Sequence, residues 1–182
     1  MRKMILGTLI AVVLVGGALL IERSVRVNRA VPINAEESGD SAGQLLPLTA
    51  QITSFADRKK TTLASFKGKV VLINFWASWC EACMAEMPSI QKLYDTYKSK
   101  GLEVIAVNLD DNPDRVVASV VKRLGITFPV YLDTDGELNR IFNVVAIPFN
   151  VVADRNQKII WSESGERDWA SDEVQAEIKK LL

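Results

Sequence analysis

Cys80 and Cys83 are the only thiols in this chain of 182 residues, and only Glu81 and Ala82 stand between them. If a helix begins at Cys80, the second sulfur lies one turn on, about 4.5 Å along the axis. Two thiols at that spacing can close into a disulfide and open again. A helix start also presents unpaired N–H groups and the positive end of its dipole to the first cysteine, which favours a thiolate there. Glu81 works against that charge.

The elements around the pair must position it. Lys69–Trp76 precedes it as a nearly unbroken apolar, β-branched and aromatic run, the pattern of a strand buried on both faces. After it, a helix from Cys80 to about Lys100 is predicted, kinked at Pro88 and stopped by Gly101. Leu102–Leu109 reads as a second buried strand. Asn112-Pro113 then supplies a cap and a first-turn proline for a helix whose stripe is Val116, Val117, Val120, Val121 and Leu124. Pro129–Asp133 is a short strand, and Glu137–Phe142 a brief helix. A hairpin follows from Ile147–Ala153 and Lys158–Trp161, and Ser171 caps a last helix to Leu182. Upstream, Ala50–Phe55 and Lys60–Leu63 flank a polar turn as a small hairpin. Alternating strands and helices imply parallel strands joined by crossovers, with an antiparallel edge: an α/β sandwich around a small mixed sheet.

Composition narrows the chemistry. The chain has no histidine, which excludes Ser-His-Asp and Cys-His nucleophilic sites, histidine-ligated metals and covalent haem attachment. Two cysteines alone cannot complete a structural zinc site, so neither metal nor cofactor is expected. Asp110-Asp111-Asn112-Pro113-Asp114 is acidic, but a calcium loop starting at Asp110 would need glycine and glutamate where Arg115 and Val121 stand. Formal charge is balanced, 22 basic against 22 acidic side chains, and nothing suggests a nucleic-acid partner.

The N-terminus reads as a membrane anchor. Arg2 and Lys3 precede an apolar run from Met4 to Ile21, about 27 Å as a helix. No small-x-small cleavage site follows it closely, so residues 1–26 are expected to remain as a signal-anchor. Arg23, Arg26 and Arg29 balance the basic N-terminal flank, so charge alone gives the orientation no preference. Residues 27–44 are small and polar and read as a flexible linker, and the folded domain is expected over 45–182.

Phe75-Trp76-Ala77-Ser78-Trp79-Cys80-x-x-Cys83, Glu86-x-Pro88 and the later Ile147-Pro148 together resemble the thioredoxin superfamily. More narrowly, they resemble the membrane-anchored TlpA/ResA-type reductases linked to cytochrome c maturation. The resemblance implies a thioredoxin-like three-layer sandwich with an N-terminal hairpin. It makes Cys80 the exposed nucleophile and Cys83 the shielded resolving thiol. Pro148 becomes the cis-proline opposite the disulfide, and Ile147 offers its backbone to an extended substrate. Glu86, one turn beyond Cys83, becomes the candidate general acid/base; the bland alternative is a solvated helix glutamate. Trp79 reads as a lid beside the disulfide and Trp76 as core, while Trp161 and Trp169 read as packing.

Three positions depart from common family patterns. Ala82 stands where many relatives have proline, Phe149 where threonine is common, and Asn74 where cytoplasmic thioredoxins bury an aspartate. The function expected is a thiol–disulfide oxidoreductase of the bacterial inner membrane, with its domain facing the periplasm or exterior. It would reduce disulfides in exported proteins such as apocytochromes c and be recharged by a membrane thiol–disulfide donor. Two other readings stand beside it. A peroxiredoxin-like peroxidase would need threonine or serine where Ala77 lies, and a non-enzymatic binding module would not need the cysteines.

Overall fold

Every residue of strand β3 (Val70–Trp76) is buried, because the strand is covered on both faces and flanked on both edges. In the computed structural model, which describes residues 41–182, it lies between β4 (Leu102–Asn108), parallel to it, and β6 (Phe149–Ala153), antiparallel. β5 (Val130–Leu132) runs parallel to β4. The hairpin of β1 (Gln51–Ser54) and β2 (Lys60–Thr62) joins the sheet through β1 against β5, and β7 (Ile159–Ser164) closes the other side against β6. The order is β2-β1-β5-β4-β3-β6-β7, the expected mixed sheet with an N-terminal hairpin.

Alternation along β3 decides which side chain meets which layer. Val70, Leu72 and Trp76 face Cys83, Met87, Ile90 and Leu93 of helix α1 (Glu81–Tyr97). Val117 and Val120 of α2 (Pro113–Leu124) and Val174 and Ile178 of α4 (Asp172–Leu181) complete that layer. Val71, Ile73 and Phe75 face the opposite layer, with Leu63 and with Leu138 of α3 (Glu137–Ile141). Ile73→Ala would remove about 2–5 kcal/mol here. By the same parity Asn74 must point at α1.

Several boundaries move for local reasons. Cys80 is not in the helix: at φ −89°, ψ 105° it is the extended N-cap residue. The α-helix ends at Tyr97, and Lys98–Lys100 form a 3-10 turn into Gly101, whose φ of 108° suits glycine. Asn112 precedes α2, but its side chain makes no cap; Pro113 at the helix start has no N–H to satisfy. Ser171 does cap α4, accepting from the Val174 N–H at 3.4 Å. β7 extends to Ser164 because it keeps pairing along β6 as far as Phe149.

At the end of the sheet away from Cys80, Arg155 donates to the carbonyls of Gly68 at 3.0 Å, Lys100 at 3.0 Å and Leu182 at 2.9 Å. Gly43 and Gln44 already pair with Ile159, both at 2.8 Å. The expected anchor over residues 1–26, and the linker as far as residue 40, lie outside the described residues. Among the described residues no helix is long and apolar enough to cross a membrane.

Candidate active site

β3 ends at Trp76, and the turn that follows delivers Cys80 to the start of α1. Asp110 holds that turn. It accepts from the Ser78 N–H at 2.8 Å and the Ser78 hydroxyl at 2.7 Å, and Asn108 donates to it at 2.7 Å. A strand-end aspartate thus fixes the backbone just before the reactive pair. A cleft of about 370 Å³ lined by Asp110, Asp111, Asp133 and Asn139 opens on this side, but the sulfurs do not line it.

Cys80 and Cys83 are joined as a disulfide with Cα atoms 5.3 Å apart. They differ in access. Cys80 keeps 8% of its surface exposed and Cys83 none. The Cys83 N–H donates to Sγ of Cys80 at 3.1 Å, so the sulfur itself caps the helix. A donor aimed at that atom stabilises negative charge on it whenever the bond is opened. Across from it the Ile147–Pro148 peptide is cis, and the Ile147 carbonyl oxygen lies 3.7 Å from Sγ of Cys80. Pro148 is buried and Ile147 half-buried, while Trp79 stands 73% exposed beside the pair. At this rim Cys80 thus meets the Ile147–Pro148 segment, with the exposed Trp79 next to it in the chain.

Glu86 does not belong to that rim. It lies inside, 2% exposed, which rules out the solvated helix glutamate. Asn74 Nδ2 donates to its Oε1 at 2.6 Å and Asn150 Nδ2 to its Oε2 at 3.4 Å. The Arg167 main-chain N–H and the Trp169 indole N–H also donate to Oε2, at 3.3 and 3.4 Å. Burial dominates over these donors and raises the carboxyl from an ordinary value of 4.5 to about 7. An acid whose pKa is raised toward neutrality can give or take a proton there.

Comparison with known proteins follows the same lines. The Redoxin family model matches residues 41–178. The chain belongs to that family. A ResA thiol-disulfide oxidoreductase of Bacillus thuringiensis subsp. konkukian is 37% identical over 123 residues, 68% of this chain and 69% of the relative. ResA of Oceanobacillus iheyensis is 38% identical over 109 residues, 60% of this chain and 56% of the relative. Among solved structures, a protein assigned as the thiol:disulfide interchange protein DsbE of Chlorobium tepidum superposes with a TM-score of 0.64 at 27% identity, covering 72% of this chain and 91% of its own. StoA of Bacillus subtilis does so with a TM-score of 0.57 at 25% identity, covering 74% and 98%. This is a TlpA/ResA-like member of the thioredoxin superfamily and a thiol–disulfide oxidoreductase.

Within this ResA-like site, two groups escaped the sequence reading. Asn150 is the register partner of Asn74 across β3 and β6, and accepts from Asn74 Nδ2 at 2.8 Å. Its signal was present: a polar residue inside Phe149–Ala153, at the parity that faces α1. Trp169, expected only to pack, is fully buried and also bonds Glu86; no local pattern announces that. Among the described residues no group of three or more acidic or thiol side chains is gathered to hold a metal.

Proposed function

We propose that this protein is a membrane-anchored reductant of disulfides in exported proteins, with oxidised Cys-x-x-Cys-His segments of apocytochromes c as clients. Its domain would work outside the bacterial inner membrane, tethered by residues 1–26. One observation carries the residue roles: of two bonded sulfurs, Cys80 keeps access to solvent while Cys83 is fully buried, three residues before the buried Glu86 on the same helix.

In the reduced protein, the Cys80 thiolate attacks one sulfur of a client disulfide. A mixed disulfide forms, and the client's other sulfur leaves as a thiolate that takes up a proton. Cys83 then gives its proton to the Glu86 carboxylate and attacks Sγ of Cys80, closing Cys80–Cys83. The second client sulfur is released as a thiolate that takes up a proton from solvent, while Glu86 returns its own proton to solvent. Two electrons have passed to the client. A membrane thiol–disulfide donor returns two electrons to reopen the pair. The client strand would lie against Ile147 and Pro148, with Trp79 covering its apolar side.

The test is Cys83→Ser, which leaves the attacking thiol and removes the resolving one. It should accumulate a mixed disulfide through Cys80 with a Cys-x-x-Cys-His peptide; full reductase turnover by Cys80→Ser would overturn the assignment. The direction of transfer is read from the reduction potential. A value near about −270 mV supports a reductant, and one near about −120 mV would make the pair an oxidant.

A further inference from the structure

The loop between β7 and α4 is docked onto α1 beneath the disulfide. The Trp169 main-chain N–H donates to the Ser89 hydroxyl at 3.0 Å, and that hydroxyl donates to the Glu86 carbonyl at 2.7 Å. Beyond it the Trp161 ring stacks on Trp169, centroids 5.5 Å apart and planes at 22°. The Arg167 guanidinium lies 4.8 Å over the Trp161 ring and pairs with Glu163 at 2.9 Å and Glu177 at 3.4 Å. The column thus runs from a cation at the surface, through two indoles, to the buried carboxyl.

We propose that Trp169 is a positioning residue of the redox site, its indole N–H holding the Oε2 side of Glu86 while Trp161 and Arg167 clamp the ring from outside. A ring present only to fill space would not need its nitrogen turned to this acid. The contrast lies in the same core layer, where the equally buried Trp76 leaves its Nε1 without a partner. The other groups facing Glu86 are neutral: Asn74 from β3, Asn150 from β6 and the Arg167 main chain. Arg167's own charge is turned to Glu163 and Glu177. A donor on Oε2 favours the ionised acid and opposes burial, so losing it must raise the pH at which Glu86 ionises.

The inference deepens the proton-transfer reading of Glu86 but is read on Glu86 directly. The readout is the carboxyl C=O infrared band of the oxidised protein that disappears in Glu86→Gln, followed against pH. Trp169→Phe keeps an aromatic ring and deletes the donor. It should raise the midpoint by about one pH unit, a tenfold change in proton binding. Arg167→Met keeps the main-chain donor and removes the outer clamp; it should move the midpoint the same way by a smaller amount. An unmoved midpoint in folded Trp169→Phe overturns the proposal. If that variant does not fold, an unmoved midpoint in Arg167→Met overturns it instead. An unchanged pH profile of disulfide exchange in Glu86→Gln would sink the proton-transfer reading while leaving the infrared result to decide the role of Trp169.

Discussion

Asn74 and Glu86 meet at 2.6 Å inside the protein, an amide from the central strand donating to a carboxyl from the active-site helix. The contact joins the two elements that meet at the Cys80 turn, and it gives the buried acid a neutral partner where a charged one would be costly.

Glu86→Gln tests the cost of that burial. The native acid ionises near 7 against an ordinary 4.5, driven first by desolvation. The folded state therefore holds its proton more tightly than the unfolded chain. The stabilisation is present in full below 4.5 and is lost as pH rises through 7. The loss is about 3 kcal/mol at 1.4 kcal/mol per unit. Urea unfolding of the oxidised proteins at pH 4 and pH 8 should show the wild type losing that much relative to Glu86→Gln. Parallel profiles would contradict it.

Asn74→Asp exchanges the closest donor to Glu86, at 2.6 Å, for a second carboxylate. Two acids in hydrogen-bond contact share one proton, so the pair should resist ionisation and destabilise the fold by about 1–3 kcal/mol at pH 8. Denaturant midpoints at pH 8 check this, and equal midpoints would refute it.

Asp110→Ala leaves the Ser78 N–H and hydroxyl without their acceptor. The turn ahead of Cys80 should open more often, and amide exchange at Ser78 should quicken about tenfold or more. Global stability should fall by about 1–3 kcal/mol. Unchanged protection at Ser78 would show that the clamp is not what holds the turn.

Trp79→Ala separates docking from folding. The side chain is 73% exposed, so its removal should change stability by no more than about 0.5 kcal/mol. Affinity for a disulfide-bearing peptide should drop about tenfold if the indole covers the client. Titration calorimetry with the Cys83→Ser, Cys80→Ser background measures binding alone, and undiminished affinity would remove Trp79 from the docking rim.

The order of strands and helices, the burial of β3 and the position of the cysteine pair were all legible in the chain, because periodicity and turn residues are local signals. So was the chemistry: two thiols at helical spacing, with no histidine, leave little but redox exchange. Element ends were less so. Whether Cys80 enters the helix or caps it depends on backbone angles that the Ser78–Asp110 clamp helps to set, between residues far apart in sequence. The state of Glu86 belonged wholly to the tertiary structure. A glutamate on an amphipathic helix reads as solvated until Asn74, Asn150 and Trp169 from three other segments close over it. Sequence determined which groups could react. Packing decided which sulfur meets solvent and at what pH the buried acid parts with its proton, because desolvation is the summed effect of residues distant along the chain.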